Sequence, residues 1–305
     1  MLIIYNIDIY PYVEIERKIL IYFKYTKPRV WALLVYVGTV GSIMAAGAEV
    51  AQKLNLIFLA IFTLIAGTAG AEAITNYIDR DIDSRMQRTA GRPLPAGQIT
   101  DAGAQIFGYV LTSTAIIPLV LFGRYYAAIF MFTGIFDNVF IYSFLLKRKT
   151  PWSVIFGGFS GGFPVIIGWY TVTDNFSITP FLLFLLVIIW IPIHIWSIAY
   201  LYREDYSSAG VPMLPVVCSE RTTSWAITIS SLLLSVFSLL LYFVGENSII
   251  YMNLAIILSI PLIYYSIRFM KKPTRKTSLA LFKYSSMYLA IIFSAFMILG
   301  LASGI

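Results

Sequence analysis

The stretch TNYIDRDIDSRMQRTAGRPLPAG, Thr75 to Gly97, holds Asp79, Asp81 and Asp83, three of the chain's 15 acidic residues, within five positions. Arg85, Arg88 and Arg92 follow them. At about 100° per residue, a helix that continues past Thr75 sets Glu72, Asn76, Asp79 and Asp83 within roughly 60° of one another and turns Asp81 to the opposite side. Asp79 and Asp83 are then a like-charge pair one turn apart, which destabilises a bare helix and asks for a positive partner. Mg²⁺ suits such a pair, because it is a hard cation that keeps several waters and bridges one or two carboxylates to substrate phosphates. Arg85, Arg88 and Arg92, with Lys147, Arg148 and Lys149 of the KRKTPW segment, suit the charge of a diphosphate. The competing reading is a solvated helix end whose aspartates pair with its own arginines at the lipid headgroups.

Two further acids weigh against a simple cap. Glu72 lies deeper on the same stripe, inside the apolar run Leu56 to Ala71 and its continuation, and Asp137 sits inside FTGIFDNVFIYSF with Asn138 beside it. Ionisable residues within a membrane span are costly and face a cavity or a partner. For Asp137 a helix-to-helix hydrogen bond and a cavity role stand equal. His194, the only histidine, is flanked by Trp190 and Trp196 in WIPIHIWSIAYLYREDY and serves either packing or a ligand. The run GGFSGGFPVIIGW, Gly157 to Trp169, allows either close helix packing or room for a flat ligand. One cysteine, Cys218, excludes an internal disulfide, and one histidine with one cysteine leaves no zinc site of those ligands.

The elements that must position these residues are membrane helices. The chain has 305 residues, 59% hydrophobic and 12% charged, where soluble domains carry roughly 25% charge. Apolar runs long enough to cross a bilayer fall at about 29–48, 55–76, 103–122, 126–145, 153–171, 179–200, 223–243, 249–269 and 281–301. All of the 22 Lys and Arg except Lys53 and Arg124 lie in, or next to, segments 1–28, 77–102, 146–152, 201–222 and 270–280. That asymmetry predicts a cytoplasmic N-terminus and an outside C-terminus, and it accounts for the net charge of +7 without nucleic acid. The N-terminal residues lack a signal-peptide pattern and are expected to stay in the mature chain. A single domain, 1–305, is expected. It has a cytoplasmic segment at 1–28 and two long polar cytoplasmic loops at about 77–102 and 201–222, where the chemistry should gather.

Nine helices with two polar inner loops, the first carrying Asn-x-x-Asp-x-x-x-Asp from Asn76 to Asp83, resemble the UbiA-type intramembrane prenyltransferases. Within that superfamily, segments 76–97, 145–169, 190–206 and 207–217 (SSAGVPMLPVV) resemble the heme-farnesylating branch. The resemblance implies an all-α, multi-pass bundle in the cell membrane with a central cavity open to the cytoplasmic side. It implies transfer of farnesyl from farnesyl diphosphate to the vinyl group of heme B, with two Mg²⁺ ions. Heme A synthase or a terminal-oxidase assembly would be the associated partner. A relative using an aromatic, quinone-precursor or glycerol-phosphate acceptor is the alternative. The implied roles are Asp79, Asp83 and Asp205 for metal, with Asn76 beside them. Arg85, Arg88, Arg92, Lys147 and Arg148 would take the diphosphate, and His194, Trp196, Arg203 and Tyr206 the heme side.

Overall fold

The computed structural model describes residues 10–243 and 248–303, and every regular element among them is helical. With no water in the hydrocarbon to satisfy backbone N–H and C=O groups, long apolar runs satisfy them internally as helices. Nine of the described helical stretches are long and apolar enough to cross a membrane. They are Pro28–Glu49, Leu54–Ile78, Asp101–Leu121, Tyr125–Leu146, Ser153–Val172, Thr179–Leu201, Glu220–Phe243, Ile249–Lys271 and Arg275–Leu301. Each starts and ends within a few residues of its sequence-based counterpart, the largest difference being the last, whose helix begins at Arg275 rather than Leu281.

In chain order the helices are α1 (Tyr10–Tyr25), α2 (Pro28–Ala46), α3 (Leu54–Ile78), α4 (Arg80–Arg85), α5 (Asp101–Leu121) and α6 (Tyr125–Phe136). They continue with α7 (Ser153–Phe156), α8 (Phe159–Val172), α9 (Thr179–Leu201), α10 (Arg203–Ser208), α11 (Leu214–Val217), α12 (Glu220–Leu240), α13 (Ile249–Lys271) and α14 (Arg275–Ser303). Helix α6 passes without a break into a π-helical stretch, Asp137–Leu146, a wider winding that concentrates at functional sites. Helix α1 lies in the segment that hydropathy alone leaves unassigned. Its Glu14–Leu20 stretch is exposed, while Tyr25 is buried with Ala73, Leu94, Ile99 and Ala104.

Close approach of α2 and α8 sets the middle of the bundle. A Cβ on Gly168 would land on the Gly38 carbonyl oxygen, and one on Gly41 would meet the Val165 carbonyl. Small residues at such a crossing let two backbones touch in lipid. Likewise Gly157 makes room for the Tyr142 ring, Gly161 for Ile191 and Gly162 for Phe184. The glycine-rich run therefore serves packing, and the flat-ligand reading of it is corrected. Two spaces remain among the described residues that matter here. A cleft of about 30 Å³ within the bundle is lined by Glu72, Asn138, Met131 and Phe163 among others. A larger cavity of about 580 Å³ lies among the polar loops that follow α4 and α9 and the turn before α14.

Candidate active site

The end of α3 carries the stripe that helical spacing predicts. Asn76, Asp79 and Asp83 are 3%, 2% and 4% exposed, whereas the Asp81 carboxylate is 45% exposed. The helix is not continuous: α3 ends at Ile78, and Asp79 joins it to α4 at φ −91°, ψ 6°. Register survives the joint, because the Asp79 N–H donates to the Thr75 carbonyl at 2.9 Å and the Asp83 N–H to the Asp79 carbonyl at 2.8 Å. Asp79 and Asp83 therefore stay on one face, and Asp81 stays on the other.

Each inward carboxylate is met by a cation from a different part of the chain. Lys27 Nζ reaches Glu72 Oε2 at 3.0 Å, Lys147 Nζ contacts Asp79 Oδ2, and Arg92 Nη1 reaches Asp83 Oδ2 at 2.6 Å. Breaking such a largely desolvated pair by removing one partner costs about 3–5 kcal/mol. Burial pushes the Lys27 ammonium below its ordinary range, opposed by Glu72. Burial acts on Lys147 in the same sense, but the charge and hydrogen bond of Asp79 prevail and hold it above its ordinary value. Lys147 also sits over the Tyr142 ring at 5.7 Å.

Lys27 is a residue the sequence reading missed. It is the only non-glycine with positive φ among the described residues, at φ 53° and ψ 61°, a conformation that costs about 1–2 kcal/mol for an L-residue. That turn swings its side chain down onto Glu72. The signal available in sequence was indirect: an acid inside a span needs a cation, but nothing local says which one. The same turn orients Asn76, whose Nδ2 donates to the Tyr25 carbonyl at 2.5 Å, while the Tyr25 hydroxyl donates to the Ala73 carbonyl at 2.7 Å.

This orientation leaves Asn76 Oδ1 and Asp79 Oδ1 buried with no hydrogen-bond partner. Buried polar atoms are otherwise almost always paired, so two orphaned hard oxygens one helical turn apart fit a hard cation such as Mg²⁺. Asp205 Oδ2 accepts the Arg88 backbone N–H at 3.3 Å. Among the described residues no three His, Cys, Asp or Glu side chains converge. Asp79 and Asp83 form the inward pair, and Asp205 sits on α10, where the resemblance expects a second metal box. Mg²⁺ is commonly held by one or two carboxylates, waters and substrate phosphates.

The basic residues divide. Arg92 and Lys147 lie at the stripe. Arg148 points to the other side, donating to both oxygens of Asp81 at 2.6 and 2.8 Å and to the Ile78 carbonyl at 2.8 Å. Arg88 stacks on the Tyr202 ring at 4.8 Å, and Arg85 is exposed. The four residues grouped on the acceptor side also separate. His194 is held between Trp190 and Phe282, with its Nδ1 at 3.3 Å from Ser285 Oγ and 3.2 Å from Ser286 Oγ of α14. Trp196 is buried with its Nε1 unpartnered. Arg203 pairs with Glu220 at 2.6 Å, and Tyr206 is half-buried on α10 against the main hydrophobic core. Asp137 accepts the Ser160 N–H at 2.8 Å, a bond between neighbouring spans.

Residues 34–292 match the UbiA prenyltransferase family. The chain is 54% identical to Protoheme IX farnesyltransferase 1 of Picrophilus torridus, over 93% of this chain and 95% of that protein. It is 52% identical to Protoheme IX farnesyltransferase of Thermoplasma volcanium, over 90% and 96%. Among solved structures it resembles a digeranylgeranylglyceryl phosphate synthase with TM-score 0.75 at 21% identity, covering 94% of this chain and 99% of that one. It also resembles a UbiA homolog from Archaeoglobus fulgidus bound to GPP and Mg²⁺, with TM-score 0.68 at 14% identity, over 91% and 99%. Nine helices of membrane-spanning length and apolarity among the described residues, an inward acid stripe closing the second of them, and a family match over most of the sequence converge, so the chain belongs to the UbiA prenyltransferase family and is a multi-pass membrane prenyltransferase.

Proposed function

We propose that this enzyme transfers a farnesyl group from farnesyl diphosphate to a vinyl group of heme B. The observation that carries the chemistry is the pair of orphaned buried oxygens, Asn76 Oδ1 and Asp79 Oδ1, set beside Lys147 and Arg92. The acceptor is supported by three relatives above half identity, each called protoheme IX farnesyltransferase.

Asn76, Asp79 and Asp83 would hold Mg²⁺, in our reading two ions. Bound there, the metal supplies Lewis-acid neutralisation of the diphosphate. Each carboxylate in this structure is neutralised by its own cation, so binding proceeds by exchange of partners. Lys147 and Arg92 turn from Asp79 and Asp83 toward diphosphate oxygens. They then stabilise the charge that develops as the C1–O bond breaks and its electron pair leaves with the diphosphate. The vinyl π electrons form the new bond to C1. Water adds to the cation left on the vinyl group and loses a proton, which completes a hydroxyethylfarnesyl substituent. Lys27 neutralises Glu72, and the Tyr25 carbonyl takes the Asn76 amide nitrogen, so that the amide oxygen is the atom that would hold the metal.

The face bearing the polar loops is the cytoplasmic one in this reading, supported by the concentration of Lys and Arg there. The test is incubation of purified protein with heme B, farnesyl diphosphate and Mg²⁺, then mass analysis of the extracted heme. A hydroxyethylfarnesyl adduct that disappears with chelator is expected. Diphosphate release with a quinone precursor or a lipid alcohol, and none with heme B, would overturn the acceptor.

A further inference from the structure

The cavity of about 580 Å³ among the polar loops is separate from the acid stripe and falls in the size range of small-molecule sites, about 300–1,000 Å³. Three guanidinium groups from three separate parts of the chain line it: Arg88 after α4, Arg203 at the start of α10 and Arg275 at the start of α14. Two of its walls are aromatic, since Arg88 stacks on Tyr202 at 4.8 Å and Arg203 on Tyr200 at 5.2 Å. Three acids line it as well: Glu220 and Asp205 are engaged, and Glu204 is exposed to solvent. Glu220 accepts from Arg203 at 2.6 Å and from the Tyr200 hydroxyl at 2.8 Å, and Asp205 accepts the Arg88 N–H. Arg203 is thereby spent on Glu220. The guanidinium groups of Arg88 and Arg275 have no carboxylate partner among the described residues, the Asp205 contact of Arg88 being through its backbone N–H.

We propose that this cavity seats the two propionates of the heme acceptor, one on Arg88 and one on Arg275, an assignment that rests on the heme reading above. Guanidinium forks match carboxylates in bidentate geometry, and the Tyr202 ring beneath Arg88 holds that fork in place. The position relative to the acid stripe is the second argument. Thr89, next to Arg88, donates its hydroxyl to the Asp83 carbonyl at 2.9 Å and is buried. Helix α10 runs along the cavity: Arg203 and Asp205 line it, and Asp205 Oδ2 accepts the backbone N–H of Arg88 from the loop that follows α4. In protoheme the propionates hang from one edge of the ring and the vinyl groups lie toward the other. Anchoring the propionates at Arg88 and Arg275 therefore turns the vinyl edge over α10, toward the carbon that leaves the diphosphate. This gives Arg88 an acceptor role in place of the diphosphate role that its sequence position suggests.

The experiment is a visible-absorbance titration of the full-length protein with heme B and with heme B dimethyl ester, whose propionates carry no charge. Wild type, Arg88→Met, Arg275→Met and the double variant are compared, with farnesylation of heme B by wild type run alongside. A charge-assisted pair of this kind is worth about a factor of ten in affinity. Heme B binding is expected to weaken about tenfold in each single variant and about a hundredfold in the double one. Affinity for the dimethyl ester should be equal in all four proteins, which also reports that the variants are folded, and Arg88→Lys with Arg275→Lys should recover part of the loss. If wild type farnesylates heme B yet all four proteins bind heme B equally, the propionate site is overturned and the heme reading stands. If wild type neither binds nor farnesylates heme B, both fall.

Discussion

Two sets of ion pairs, built from the same residue types, behave as different materials in this molecule. At the end of α3, Asp79–Lys147 and Asp83–Arg92 are almost closed to solvent on the carboxylate side, at 3% and 6% exposure. A few positions away, Asp81–Arg148 is 45% and 39% exposed, and Arg203–Glu220 is similarly open. Exposed pairs contribute about 0–1 kcal/mol because water and salt screen them. Desolvated pairs cost far more to break and are retained where charge has to be held ready. Position on the helix, not residue type, separates a site from a cap.

The sharpest way to break this comparison is to remove a carboxylate from each set. Asp79→Ala and Asp83→Ala should each lower prenyl transfer by about a thousandfold or more, with the protein still inserted in membrane. Asp81→Ala should stay within about threefold. Equal losses, measured as product formed per minute at saturating Mg²⁺, would remove the distinction between the faces. Next in size, Lys147→Met should lower transfer by about a hundredfold, the scale seen when one charge-stabilising donor is lost. A Lys147→Met enzyme within threefold of wild type would mean that this cation does not turn to the diphosphate.

A smaller effect tests the turn that seats Lys27. Lys27→Met leaves Glu72 without its cation and should lower stability by about 3 kcal/mol, read by thermal unfolding. Lys27→Gly relieves the left-handed backbone and should be about 1 kcal/mol less damaging. The double variant Lys27→Met with Glu72→Gln should recover most of the loss, and failure to recover would show that the pair is not the cause. The smallest effect belongs to Asp81. The Arg148 hydrogen bonds hold its carboxyl below the ordinary value of 3.8, against a smaller opposing effect of burial. A lowered folded value means that the pair's contribution is complete above pH 3.8 and is lost as pH falls through the folded value. Screening keeps it to at most about 0.5 kcal/mol. Wild type and Asp81→Asn should therefore differ in melting at neutral pH by about that amount and converge under strong acid.

Most of the architecture was legible in the sequence, because transfer of apolar residues into a bilayer is a local property of about twenty neighbours. The inward placement of Asn76, Asp79 and Asp83 was legible too, since angular position on a helix follows from spacing and survives the joint at Asp79. Other residues that the sequence groups together part in the fold for a shared reason. Arg148 was grouped with Lys147, its neighbour in sequence, yet the two point to opposite faces of α3 and α4. His194, Trp196, Arg203 and Tyr206 lie within thirteen positions and meet four different surroundings, because a helix and a turned loop spread neighbours around their axes. The packing role of Gly157–Trp169 was one of two readings, and only the crossing of α8 with α2 chose between them.

The sequence by itself determined the membrane class, the nine spans and the face that carries the acids, because hydrophobic transfer and helical periodicity act over short stretches of chain. Tertiary structure decided which cation neutralises which acid, since Lys27 reaches Glu72 across 45 positions and Lys147 reaches Asp79 across 68. It also decided that Arg88 and Arg275 line a second cavity. Side chains that far apart in sequence meet only once the helices have packed, and the packing itself is set by glycine contacts that carry no charge at all.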